Sequence, residues 1–389
     1  VAGDVLFIGF LLGSFFIINK KWATYRGYTS TQTRWLFALW IYHLVICLVF
    51  YRYLLNHGGD SLRYWHISLV SETSINSWTD LFGTGTYFVY WINYPFSQIA
   101  GLGYLSGTFL YASVSFLGFL LALDLILFSF SKFQEKRAVV FAIFVLFLPN
   151  VHFWTAGVGK ESLLWLGLVL VLYGVNQFPN RMIFLLMGLL LSLMVRPLQG
   201  LVLTIIGLAV VPFHQSLFPY RKKVIPLSIF FIISIFAYRF VQGSLVYGFN
   251  LNWIGDLLDW QNQFLASFGG ASSINMREYN WLEKIAALFF RPYLWEVRDF
   301  WTFAAALENA FTLGFFIFGS GCLYLLRKPF ELPLYLWVAI GYGLLLALLF
   351  ALTLNNLGII MRMKSIYLPF FSLISLYLYF ELARKKAVK

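Results

Sequence analysis

The chain has 389 residues; 60% are hydrophobic and 21% aromatic, only 11% carry charge, and mean hydropathy is +0.77. That composition excludes a soluble globular domain, and the net charge of +12 is no nucleic-acid signal, because the basic residues sit in short clusters between apolar runs instead of forming a stripe. The expected fold is all-α: a polytopic transmembrane helix bundle of about eleven spans, forming a single integral membrane domain over residues 1–389.

The first apolar run, near residues 4–18, is preceded by Asp4 and followed by Lys20 and Lys21. This reverses the basic-then-apolar order of a secretory signal and reads as a retained helix. Further spans are expected near 35–54, 108–131, 137–155, 160–176, 182–196, 200–214, 224–243, 302–326, 333–352 and 366–381. Seventeen of the 28 Lys and Arg residues, from Lys20 and Lys21 through Lys132, Arg181 and Arg221 to the tail at Lys389, fall on one side of these runs in short loops or at the end. The positive-inside rule makes that face cytoplasmic, with the amino terminus outside and the carboxyl terminus inside.

Two long segments, residues 55–107 and 244–301, then face outward. Both are rich in Trp, Tyr and Gly, and the stretches "TYFVYWINYPFSQIAGL" and "NWLEKIAALFF" read as aromatic helices lying along the interface. No repeat and no low-complexity tract is evident. Cys47 and Cys322 lie inside apolar runs and imply no disulfide framework.

The stretch "HGGDSLRYW", residues 57–65, brings Asp60, Ser61, Arg63 and Tyr64 together just beyond the second span. Gly58 and Gly59 permit a tight turn that presents the Asp60 carboxylate at the bilayer surface, where it suits a general base toward an acceptor hydroxyl. The same spacing also suits a solvated acid at a helix end. Other outer loops are very short yet contain cations against the orientation rule: Lys160 in "WTAGVGKES", Arg196 in "MVRPLQG", and Arg362 with Lys364 in "IIMRMKS". A cation in hydrocarbon costs roughly 2.5–3.5 kcal/mol on insertion scales, so such residues need a partner. Four of them suit a phosphate or diphosphate; snorkelling to lipid phosphates is the plainer alternative.

"FFRPYLWEVRDFW", residues 289–301, adds Arg291, Glu296 and Arg298, which fit helix anchoring slightly better than substrate contact. Asp124, toward the inner end of its span, is expected to bond a neighbouring helix. The five histidines have no metal-ligand spacing, although His57 and His66 bracket Asp60, and no Walker loop, dinucleotide glycine pattern or nucleophile elbow occurs.

"GGDSLRYW", with Gly58, Asp60 and Tyr64 in place, resembles the first outer-loop pattern of bacterial membrane polysaccharide polymerases and GT-C-type glycosyltransferases. "FGTGTYFVYWINYPF", "LPNVHFWTAGVGKES", "MVRPLQG" and "RPYLWE" are similar to stretches of polytopic bacterial proteins grouped with sugar-transfer machinery. The resemblance implies a transferase of the bacterial cytoplasmic membrane, moving a sugar from a polyprenyl-phosphate or -diphosphate donor to a glycan or lipid hydroxyl on the outer face. Asp60 would match the acid of the pattern, with Arg63, Tyr64, Lys160, Arg196, Arg362 and Lys364 toward the substrate. Tyr64, Trp65, Trp253 and Trp260 would offer faces for sugar or prenyl stacking. No cofactor is implied outright; the pair Asp60-Ser61 stands where the commonest pattern has two adjacent acids, which leaves a divalent metal open. Two other classes fit the same charges: a flippase or transporter of lipid-linked sugars, and a non-catalytic subunit of an export or assembly complex.

Overall fold

A computed structural model describes residues 2–67, 77–213, 225, 274–276, 278–326 and 330–387. The span expected at 224–243, Trp253, Trp260, His214 and the basic residues Arg221 and Lys389 lie outside the described residues. Every regular element among the described residues is helical.

In chain order these are α1 (Ala2–Tyr25), α2 (Ser30–His57), α3 (Asp60–His66), α4 (Thr86–Tyr94), α5 (Tyr104–Phe130), α6 (Lys136–Val145), α7 (Pro149–Thr155), α8 (Lys160–Asn176), α9 (Met182–Val195), α10 (Pro197–Val210), α11 (Trp281–Phe290), α12 (Phe300–Leu325), α13 (Leu334–Thr353), α14 (Leu357–Lys364) and α15 (Leu368–Ala387). Five of them, α1, α2, α5, α12 and α13, are long and apolar enough to cross a membrane. The pairs α6/α7 and α14/α15 qualify only jointly, bent by 46° and 53°, giving up to seven spans among the described residues. Both bends have a proline cause: Pro149 opens α7 and Pro369 is the second residue of α15, each without the N–H that a continuous helix needs. The run 137–155 is thus two helices. The "IIMRMKS" stretch, expected as a short loop, is most of helix α14.

The contacts divide the chain, read from sequence as one domain, into two compact units: residues 1–174, 181–201 and 384–389, and residues 175–180 and 202–383.

The first unit is organised by α5, which is buried on nearly every face, as a helix apolar all round should be. Helix α2 buries Leu36, Trp40, His43, Cys47, Phe50 and Leu54, alternating steps of four and three, so one seam faces the interior along its whole length. Bulky rings are seated on glycines: a Cβ at Gly107 would lie 2.4 Å from the Trp65 ring, and one at Gly157 would lie 2.0 Å from Phe50. At the inner end expected from sequence, Asp124 of α5 accepts from Arg26 Nε (2.8 Å), Tyr28 Oη (3.1 Å) and Tyr173 Oη of α8 (3.2 Å), so it does bond neighbouring elements. Within the same interior, His43 Nδ1 and His152 Nδ1 lie 2.8 Å apart, His43 Nε2 is 2.9 Å from Ser115 Oγ, and His152 Nε2 is 2.6 Å from the Leu146 carbonyl.

In the second unit α11 packs against α12, α13 and α14. Phe289, Phe316, Tyr367 and Phe371 stack into one aromatic cluster there. Asn280 with Glu283 and Asp299 with Thr302 form capping boxes that start α11 and α12.

Candidate functional site

Helix α3 follows a turn that only glycine tolerates comfortably, with φ of 70° at Gly58 and 140° at Gly59. Its buried face is Ser61, Tyr64 and Trp65, the i, i+3, i+4 pattern of a helix laid on a core, while Asp60 and Arg63 are exposed one turn apart on the other face. Three ties fix that orientation. Trp65 Nε1 donates to the Leu102 carbonyl (2.9 Å), Ser61 Oγ meets Tyr104 Oη at 2.7 Å, and Asn93 Nδ2 donates to the Tyr64 carbonyl (2.9 Å) while its oxygen accepts from Tyr111. The carboxylate at position 60 is therefore presented outward by a helix that cannot roll without breaking buried hydrogen bonds.

The Tyr64 ring faces two neighbours. Tyr90 of α4 packs edge-on at 6.2 Å, and the Lys160 ammonium lies 5.7 Å over the ring centre, a cation–π arrangement. Lys160 Nζ also donates to Thr86 Oγ1 at 2.8 Å. Gly85, at φ 68°, donates its N–H to the Met194 carbonyl (2.7 Å), which ties the start of α4 to the end of α9. Two residues further, Arg196 has left the helix because Pro197 follows it, and its guanidinium pairs with Glu161, a carboxylate 1% exposed. Glu161 adjoins Lys160 in the first turn of α8, where a negative charge is favoured by the helix dipole.

Two donors of this cluster are unused. Among the described residues, Arg196 Nε and Tyr90 Oη are both buried with no hydrogen-bond partner. Burial pushes the Tyr90 phenol up to about 12, with Tyr64, Asp60 and Tyr87 adding to the rise and Arg63 opposing it, so it stays a donor at neutral pH. The edge-on contact with Tyr64 places the Tyr90 ring against the buried face of α3.

Of the residues singled out in sequence, Asp60, Arg63, Tyr64, Lys160 and Arg196 thus belong to one chain of contacts in the first unit. Thr86, Tyr90 and Glu161 were not singled out. Glu161 stood in the quoted "WTAGVGKES", but its partner is 35 positions away and no local pattern gives that pairing.

Arg362, Lys364, Arg291, Glu296 and Arg298 belong to the second unit. Lys364, expected at a donor phosphate, instead is fully buried and directs its ammonium protons to the carbonyls of Phe289 (3.0 Å) and Arg291 (2.8 Å) and to Asn309 Oδ1 (2.8 Å). Three donors meet three protein acceptors, which leaves none for a phosphate; Lys364 is a tie between α14 and the end of α11. Arg291 pairs with Glu296 and with Tyr279 Oη, and the Tyr293 N–H donates to Glu296 at 2.8 Å. Burial by itself would raise the Glu296 carboxyl, but Arg291 and that N–H outweigh it and hold the group below its ordinary value. Arg298 is exposed beside the cap of α12, and Arg362 is half-buried on α14.

Among the described residues no group of three His, Cys, Asp or Glu side chains is arranged to hold a metal ion. Comparison with family models, with curated proteins and with solved structures finds no match to this chain.

Proposed function

We propose that this chain is a membrane glycosyltransferase or polymerase, transferring a sugar from a polyprenyl-(di)phosphate donor to an acceptor hydroxyl on the outer face of the bacterial cytoplasmic membrane. The observation that supports it most is that α3 carries the exposed carboxylate Asp60 on one face while Tyr64 on its buried face meets Lys160 and Tyr90, with Arg196 paired to Glu161 next to Lys160. A base beside cations is what group transfer from a phosphate requires. The reading includes a chain of about eleven spans, with the amino terminus outside and the tail cytoplasmic, so that the cluster faces outward.

In this scheme the acceptor oxygen attacks the anomeric carbon as its proton passes to an Asp60 carboxylate oxygen. The bond between that carbon and the phosphate oxygen breaks, and the phosphate leaves with the electron pair. Lys160 and Arg196 stabilise the charge that grows on it, and Glu161, buried against Arg196, fixes the guanidinium in place.

The test is purified protein in liposomes charged with a panel of radiolabelled polyprenyl-diphosphate sugars. Label appearing on an acceptor, with release of polyprenyl diphosphate, is the expected result. Donor that crosses the bilayer chemically unchanged would replace the transferase by a flippase.

A further inference from the structure

The phenol of Tyr90, like the Asn19 amide, is a buried polar group of the first unit with no hydrogen-bond partner among the described residues. The residue is 2% exposed, its hydroxyl has no partner, and a buried unpaired hydroxyl is costly. Nothing about packing requires the oxygen: the ring already meets Tyr64 and Tyr87 edge-on, at 6.2 and 6.4 Å, and a phenylalanine would make the same contacts. The hydroxyl nevertheless lies in the field of Asp60 and Arg63, in a cluster whose other unused donor is Arg196 Nε and whose ammonium, Lys160, sits over the shared Tyr64 ring. Two donors without acceptors, Tyr90 Oη and Arg196 Nε, are matched by an anionic oxygen. Tyr87, edge-on to Tyr90, is 52% exposed, so the Tyr90 ring lies one side chain from the surface.

We propose that the Tyr90 hydroxyl is a ligand-binding group that donates to a phosphate oxygen of a polyprenyl diphosphate. This inference rests on the donor class assigned under Proposed function. Tyr90 is placed as a positioning residue: it holds the donor headgroup beside Lys160 and exchanges no proton with the acceptor. The hydrogen bond to a charged oxygen is worth about tenfold to a hundredfold in affinity.

The experiment uses the full chain in nanodiscs with farnesyl diphosphate as the probe, reading both the dissociation constant and the thermal midpoint without ligand. Wild type is expected to bind saturably, Lys160→Met and Tyr90→Phe are expected to bind about tenfold or more weakly, and Tyr90→Phe without ligand is expected to melt no lower than wild type. Weakened binding in Lys160→Met with unchanged binding in Tyr90→Phe overturns the role of Tyr90 and leaves the donor class standing. A lower melting point for Tyr90→Phe without ligand would make the hydroxyl structural and also overturns it. Absence of saturable binding to wild type overturns the donor class and this inference together.

Discussion

The Lys160 ammonium lies 5.7 Å over the Tyr64 ring while donating to Thr86 Oγ1, so one cation joins α3, α4 and α8. These two attachments hold the ammonium against the Tyr64 ring at the start of α8. Lys160→Met is therefore expected to lower sugar transfer by about a hundredfold or more, as loss of a charge-stabilising group does, with a thermal midpoint within a few degrees of wild type. Transfer rate and melting curve on the same preparation check this. A collapse of stability with proportional loss of transfer would make the residue architectural.

Lys364 gives the opposite expectation. Its three acceptors are protein oxygens in the second unit, and Lys364→Met would leave the Phe289, Arg291 and Asn309 oxygens unpaired. The expected cost is about 3 kcal/mol or more, seen as a lower midpoint in detergent with little change in the affinity for farnesyl diphosphate. A normal midpoint with lost affinity would return Lys364 to the substrate.

Asp124 accepts from Arg26, Tyr28 and Tyr173 at once. Asp124→Asn removes the charge that Arg26 faces and is expected to cost about 2–3 kcal/mol and to expose the turn at residues 26–29 to protease. Limited proteolysis followed by mass mapping measures this; an unchanged digestion pattern would contradict it.

The Arg291–Glu296 pair makes stability depend on pH in the second unit. Glu296 is held below its ordinary value of 4.5, so its contribution is present above that pH and is lost as pH falls through the lower folded-state value. Wild type and Glu296→Gln should differ in melting temperature near neutrality and converge below about pH 4.5. A gap that persists undiminished in acid would assign the difference to packing.

The His43–His152 pair has one self-consistent proton arrangement. The Leu146 carbonyl can only accept, so His152 keeps its proton on Nε2 and offers Nδ1 as acceptor; His43 then donates from Nδ1, and its Nε2 takes the one Ser115 hydroxyl proton in place of the Ala112 carbonyl, which lies 3.1 Å from the same oxygen. Nitrogen-15 imidazole shifts should show the two opposite tautomers, and two identical tautomers would break the chain.

The helices were legible because apolar length is a one-dimensional signal. The runs at 4–18, 35–54, 108–131, 302–326 and 333–352 all fall on α1, α2, α5, α12 and α13, and the interfacial stretches fall on α4 and α11. What one dimension conceals is direction: "IIMRMKS" is too short and too charged to register as a helix, yet it forms most of α14. The same limit governs the site. Lys160 and Arg196 were conspicuous through the cost of a cation near hydrocarbon, whereas Glu161, Thr86 and Tyr90 acquire meaning only through partners 35, 74 and 26 positions away. Lys364 was as conspicuous as Lys160, but its acceptors are a backbone turn and an amide some 55 to 75 positions earlier, which charge counting does not see.

The claim that Asp60 is the base of a sugar transfer is tested most directly by the initial rate of transfer from a polyprenyl-diphosphate sugar in proteoliposomes, wild type against Asp60→Asn. The side chain is exposed, so the amide is tolerated by the fold, and the expected result is a rate at least about a hundredfold lower with farnesyl diphosphate affinity retained. An Asp60→Asn protein that transfers sugar at the wild-type rate would contradict it.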